Sequence, residues 1–273
     1  MKKVSLVLMM VAAAATTFLA SCKKDKVEED YTTEKEMSEH MALSEANYTD
    51  AGNIADEASE GDLSSYKTGC ATVTHDSTST PRKITVDFGT TNCLCNDNKT
   101  RRGKIIVTYT GRYRDLGTVI TTTFDNYFVD DNEVKGTRTV TNSGTNPQGQ
   151  PTFNISVNGS VILSGGRGTI THIASRTRTW IAGFNTPRNL QDDVYLIDGS
   201  TTTVGPKGDE FTCTIRTSLR VEFSCHNIVS GIIDYVRKGS RNGSASINYG
   251  TGACDRVATV TLPNGRDFNI LLR

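Results

Sequence analysis

Cysteine is the residue type with the most chemistry to offer in this 273-residue chain, which holds seven of them. Six lie beyond the N-terminal region: Cys70, Cys93, Cys95, Cys213, Cys225 and Cys254. An even number in an exported chain points to disulfides, and six cysteines allow about fifteen connectivities. Zinc is the rival chemistry. Cys93-Leu94-Cys95 has a single intervening residue, whereas paired zinc ligands are usually separated by about two to four. The sequence therefore predicts disulfides and no metal.

The other reactive types do not converge. His40, His75, His172 and His226 are far apart and match no metal-ligand spacing, so each is read as a sheet-surface or turn residue. Cys225-His226 is no thiol–imidazole pair on a strand, because adjacent residues point to opposite faces. No Gly-x-Ser-x-Gly elbow is present. Gly165-Gly166-Arg167-Gly168 is read as a bend, since a phosphate cradle needs a following helix. Asp125, Asp130, Asp131 and Glu133 would suit calcium or acid–base work, but Asp130-Asp131-Asn132 reads as a hairpin tip. Trp180, the one tryptophan, is assigned to the core, with sugar stacking as the alternative. No catalytic residue and no cofactor are assigned.

The seventh cysteine has a different setting. Lys2 and Lys3 precede an apolar run, Val4 to Phe18, that ends in Leu19-Ala20-Ser21-Cys22 and then turns charged at Lys23-Lys24-Asp25. The run is short for a spanning helix, which needs about 20 apolar residues, and has the layout of a secretory signal over residues 1–21. Leu19-Ala20-Ser21-Cys22 resembles the lipobox of bacterial lipoproteins. That resemblance implies cleavage before Cys22, acylation of Cys22 and anchorage in a lipid bilayer. More than one acyl chain gives a stable anchor.

Behind Cys22 the charge is uneven. Residues 23–66 hold 13 Asp and Glu against 4 Lys, whereas residues 67–273 hold 17 acids against 24 bases. The acidic arm reads as a solvated tether, with docking on the basic face of the body as the alternative. The bases show no aromatic interleaving, so nucleic acid is not an expected partner.

The elements that must position these residues are mostly strands. Residues 22–66 read as a flexible acidic leader with a short helix over Glu34 to Ala58, whose apolar residues are Met37, Met41, Leu43, Ala46 and Ile54. Residues 67–273 are rich in threonine among Val, Ile, Tyr and Phe, which suits half-buried pleated surfaces. Alternation recurs at Ile105, Val107 and Tyr109 and at Ala245, Ile247 and Tyr249. Asn158-Gly159, Asp198-Gly199, Asn242-Gly243 and Asn264-Gly265 are candidate tight turns. The predicted fold is all-β, an antiparallel multi-stranded meander or sandwich preceded by a short N-terminal helix.

An internal echo relates 67–145 to 211–273, with 145–210 as a less regular meander. Val86-Asp87-Phe88-Gly89-Thr90-Thr91-Asn92-Cys93 is matched by Ile247-Asn248-Tyr249-Gly250-Thr251-Gly252-Ala253-Cys254. Each leads to a basic turn, Arg101-Arg102-Gly103 or Gly265-Arg266. The echo pairs Cys70 with Cys93 and Cys225 with Cys254, leaving Cys95 and Cys213 to each other or free.

With its lipobox, acidic leader and stretches such as DFGTTNC and INYGTGACDRVATVTLPNG, the chain resembles uncharacterised lipoproteins of Bacteroidota. The resemblance implies a β-rich protein anchored at the outer membrane, facing the cell surface or the periplasm. Asp76-Ser77-Thr78 is similar to the O-glycosylation acceptor of exported Bacteroidota proteins, with Ser77 as the acceptor. The expected function is a non-catalytic binding or structural module with a glycan or protein ligand. The alternative is a hydrolase using dispersed carboxylates such as Asp125 and Asp131.

Overall fold

The computed structural model describes residues 22–60, 71–186, 189–225, 228–239 and 244–272, without the side chains of 22–31, 59, 60 and 190. The chain divides into two compact units, Met1–Glu36 and Met37–Arg273. In the first, the described backbone from Cys22 is helical. The second holds the rest of that helix, α1 (Cys22–Glu60), and the sheet.

The strands follow one another in chain order: β1 (Thr72–Asp76), β2 (Arg82–Asp87), β3 (Cys93–Leu94), β4 (Thr100–Tyr109) and β5 (Val119–Val129). Then come β6 (Asn132–Thr145), β7 (Pro151–Leu163), β8 (Gly168–Ala182), β9 (Val194–Val204) and β10 (Glu210–Glu222). The last are β11 (Ile228–Arg237), β12 (Ala245–Thr251), β13 (Val257–Thr261) and β14 (Asp267–Leu271). They form one antiparallel sheet in sequence order, except that β2 pairs with β4 and the short β3 pairs only with β4. The all-β expectation holds, and its meander form is the observed one.

Side-chain alternation gives the sheet one buried face. In β8 the buried residues are Ile170, His172, Ala174, Arg176, Arg178 and Trp180, every second position, while the threonines between them point outward. In β8 the threonines thus mark the opposite, polar face, whereas Thr122, Thr201 and Thr203 of other strands are buried.

That buried face curls around α1. Ser38 meets Tyr235 of β11, Met41 meets Cys213 of β10, and Asp50 meets Arg101 of β4. The strands from β4 to β11, laid flat, would span about 34 Å at their usual spacing. A helix with side chains is only about 10–12 Å across. From Ser38 to Asp50 the helix advances only about 18 Å along its axis, so it reaches both limits because the sheet wraps it. Between Met37 and Ala58, Glu39 alone is exposed.

The chain is already helical at Cys22, ahead of Glu34, so leader residues 22–33 are helical where flexibility was expected. Its buried seam is Met37, Met41, Ser44, Tyr48, Ala51, Ala55 and Ala58, alternating steps of four and three, with Ile54 beside it. Leu43 and Ala46, assigned to the stripe from sequence, are only half-buried.

Turn assignments divide. Asp130 and Asp131 form the β5–β6 hairpin turn with φ of 48° and 63°, as a two-residue primed turn requires. Asn264-Gly265 and Gly165-Gly166-Arg167 also lie between strands. Asn158-Gly159 and Asp198-Gly199, however, lie inside β7 and β9. Arg101-Arg102-Gly103 is no turn either: it lies in β4, where the register shifts between Arg102 and Lys104. The stretch read as a less regular middle contains the longest strand, β8, which pairs with β7 over Thr152–Leu163 without a shift. Asn242-Gly243 lies outside the described residues.

Candidate functional site

Strand pairing assembles a charged cluster beneath α1. Arg138 of β6 pairs with Val157 of β7, which pairs with Ala174 of β8, and Arg176 and Arg178 follow on the same face of β8. The three arginines are 4–6% exposed. Buried guanidiniums need acceptors, and the helix supplies them. Glu45 accepts from Arg176 Nη2 at 2.9 Å, and Asp56 accepts from Arg178 Nη1 at 3.1 Å. Arg178 also donates to the Tyr113 hydroxyl and lies 4.7 Å from the Tyr195 ring centroid.

His172 completes the cluster. Its ring stacks on Tyr48 with centroids 5.3 Å apart, and its Nε2 is 3.6 Å from Glu45 Oε2. Burial presses His172 down to about 4, although Glu45 opposes this. Its imidazole is therefore neutral at pH 7. Burial alone would raise the Glu45 carboxyl, but Arg176, His172 and Arg138 outweigh it and hold the group below its ordinary value.

These groups enclose a cavity with about 40 Å³ of water-accessible space, bordered by Glu45, Tyr48, Arg138, His172, Arg176 and Arg178 and floored by apolar residues such as Ile155 and Val157. A second cavity of about 40 Å³ adjoins it, sharing Glu45, Thr49, Asn53 and Val221, with Ala42, Ala46, Tyr249 and Leu272 on its walls. An ionised carboxylate of low basicity, a neutral imidazole and fixed guanidiniums suit the recognition of charge more than proton transfer at pH 7.

A separate ion cluster forms at Asp50, between Glu45 and Asp56 on the helix. Arg101 Nη2 is 2.8 Å from Asp50 and 2.6 Å from Asp97, whose other oxygen accepts from Arg101 Nη1 at 2.8 Å. Three acids of the arm, Glu45, Asp50 and Asp56, are thus paired with arginines of the β body, so this part of the arm is docked where a solvated tether was expected.

The residues singled out in the sequence are scattered by comparison. Asp125 is exposed beside Asn126, which donates to it at 2.9 Å. Asp130 accepts from the Thr100 backbone N–H at 2.9 Å. Asp131 accepts from Asn92 and forms an ion pair with Arg102 at 2.5 Å. Glu133 pairs with Lys135 at 3.1 Å. These four carboxylates border neither cavity. Among the described residues no group of three or more His, Cys, Asp or Glu is arranged to hold a metal ion.

Cys225 and Cys254 form the expected disulfide, with Cα atoms 5.7 Å apart. Cys93 is also disulfide-bonded, and Cys70, its expected partner, lies outside the described residues. Cys95 and Cys213 are both free and buried, so the option of pairing them is not realised. Residues 1–21 and His226 lie outside the described residues, as does the side chain of Cys22. Ser77 is exposed in a turn where Asp76 accepts hydrogen bonds from Thr78 and Ser79. Trp180 is a core residue whose Nε1 donates to Asp193 at 3.2 Å.

His172 overturns the surface reading for that histidine, since its side chain is buried in the cluster. The arginines of the cavity were missed because scattered bases in a sequence look like solvated charge. A signal was present: His172, Arg176 and Arg178 share the parity of Ile170, Ala174 and Trp180.

Comparison of the chain with known protein families, with curated proteins and with solved structures returned no match.

Proposed function

We propose that the protein is an outer-membrane lipoprotein, anchored through acylated Cys22, whose β body is a non-catalytic binding module. The observation that carries the binding reading is the polar cavity under α1, where three buried arginines meet two helix carboxylates and a neutral histidine. Its groups are fixed by packing and pairing, which favours recognition of a ligand over turnover. Anchorage is supported by Leu19-Ala20-Ser21-Cys22 after a short apolar run, the pattern shared with bacterial lipoproteins. The exposed turn at Ser77 is accessible to the glycosylation that its Asp-Ser-Thr pattern suggests.

The test replaces Cys22 with Ala in cells fed a fatty-acid analogue. Loss of labelling together with release of the protein from membranes supports the reading, and retention in the membrane fraction refutes the anchor. Protease added to intact cells then distinguishes display on the surface from a periplasmic body.

A further inference from the structure

The arginine cluster has more donors than its own acceptors use. Arg138 is 5% exposed and, among the described residues, makes neither a hydrogen bond nor an ion pair. Its guanidinium lies flat against α1 at Gly52, where an added Cβ would stand 2.6 Å from Cζ. Arg176 spends Nη2 on Glu45, and Arg178 spends both terminal nitrogens on Asp56 and Tyr113. Four buried nitrogens remain without an acceptor, Arg138 Nη1, Arg176 Nε and Nη1, and Arg178 Nε, against one unmet acceptor in the cluster, Asp56 Oδ1. An unmet buried donor is unfavourable, and such groups are rare without a water or a ligand.

Charge and shape narrow the occupant. Three guanidiniums are set against two carboxylates, Glu45 and Asp56, which leaves one positive charge in excess. A single monoanion balances it. A planar carboxylate matches the guanidinium fork. About 40 Å³ of water-accessible space is enough for such a head group and small for a bulky one. The adjoining cavity, with Ala42, Ala46, Val221 and Leu272 on its walls, offers an apolar compartment next to the polar one.

We propose that this paired cavity binds a short-chain monocarboxylate, its carboxylate received by Arg138 and the free edges of Arg176 and Arg178, its alkyl tail lying along α1 in the second compartment. This deepens the binding reading above and rests on it. The anchor is tested separately by fractionation, so failure at the cavity leaves that result untouched.

The experiment is titration calorimetry with thermal melts on the purified protein at pH 7 and fixed ionic strength. The probes are sodium acetate, butyrate and hexanoate, with chloride and phosphate as comparison anions. The expected result is saturable one-site binding of butyrate, tighter than acetate, with a matching rise in melting temperature. Arg138→Met should weaken butyrate binding at least tenfold. Without ligand it should melt no lower than wild type, because removing an unpaired buried charge is not destabilising. Equal butyrate binding by wild type and Arg138→Met would overturn the proposal. So would the absence of saturable carboxylate binding, the result expected if water alone fills the cavity. Equal shifts from chloride or phosphate would likewise overturn the assignment to a carboxylate.

Discussion

Asp50 of α1 and Arg101 of β4 lie 2.8 Å apart, with side chains 7% and 0% exposed. Burial alone would lower the Arg101 guanidinium, but Asp50 and Asp97 outweigh it and push the group up. Such a pair adds little net stability over apolar packing, yet losing one partner strands the other charge in the interior. Together with Glu45–Arg176 and Asp56–Arg178, it fixes how the helix is rotated and seated inside the sheet. Helix residues 37–58 of the acid-rich arm and the base-rich strands share one core.

Asp50→Asn should therefore destabilise the fold by about 2–4 kcal/mol, the lower end applying because Asp97 still holds Arg101 with two oxygens. Urea unfolding measures it. Arg101→Met strands Asp97 as well, so the double variant should lose less than the sum of the two single losses without recovering wild-type stability. An additive double variant would show that the two side chains are not coupled.

Two buried groups give stability opposing dependences on pH. His172 is pressed down to about 4, so the unfolded chain binds its proton first. Its contribution is complete above about pH 6.5 and is lost as pH falls toward 4, by at most about 3 kcal/mol. Asp193 behaves inversely. Burial raises its carboxyl to about 6, against hydrogen bonds from Tyr195 and Trp180. Ionisation thus weighs on the fold as pH rises from about 4 to 6. His172→Phe should lose less stability than wild type between pH 6.5 and 4.5, and Asp193→Asn should lose more. Unfolding curves across that interval decide it, and parallel profiles for all three proteins would refute both assignments.

The cysteines make two thiol populations. Cys225–Cys254 closes a sequence separation of 29 residues, so its removal should cost about 3–4 kcal/mol on the chain-entropy account. Cys213 is buried 3.0 Å from Met41 Sδ, and burial pushes its thiol up to about 12. Cys95 is 3% exposed. Without reductant, a thiol reagent should label both only after unfolding. Rapid labelling of either in the native protein would mean that the sheet opens locally there.

Much of this architecture is legible in local pattern. Strand alternation, the Asp130-Asp131 turn and the Cys225–Cys254 pairing all follow from neighbours within a few residues or from an echoed segment. The helix seam was harder to find, because Ser44 and three alanines occupy positions where large apolar residues were sought. A helix enclosed by sheet needs small and polar residues that fit opposite strand side chains, so its own amphipathicity is weak. The cavity was hidden for a related reason. Arg138 and Arg176 come together through pairings across β6, β7 and β8, and no local spacing encodes that.

Gly159 shows how a turn signal can serve packing instead. It pairs with Gly136 of β6 and His172 of β8, and an added Cβ would stand 2.0 Å from the Tyr48 hydroxyl and 2.4 Å from the Lys135 carbonyl oxygen. The space left by the missing side chain lets Tyr48 reach the sheet backbone, where its hydroxyl donates to Lys135 O at 2.7 Å. Gly159→Ala should thus displace Tyr48, break that bond and lower stability by about 2–3 kcal/mol. Adding Tyr48→Phe should recover only part of the loss, because the hydroxyl clash is gone while those with the ring Cζ, at 2.7 Å, and with Lys135 O remain. A Gly159→Ala protein that melts with wild type would mean that Tyr48 does not seat there. Full recovery in the double variant would place the whole conflict at the hydroxyl, and none of it at the strand.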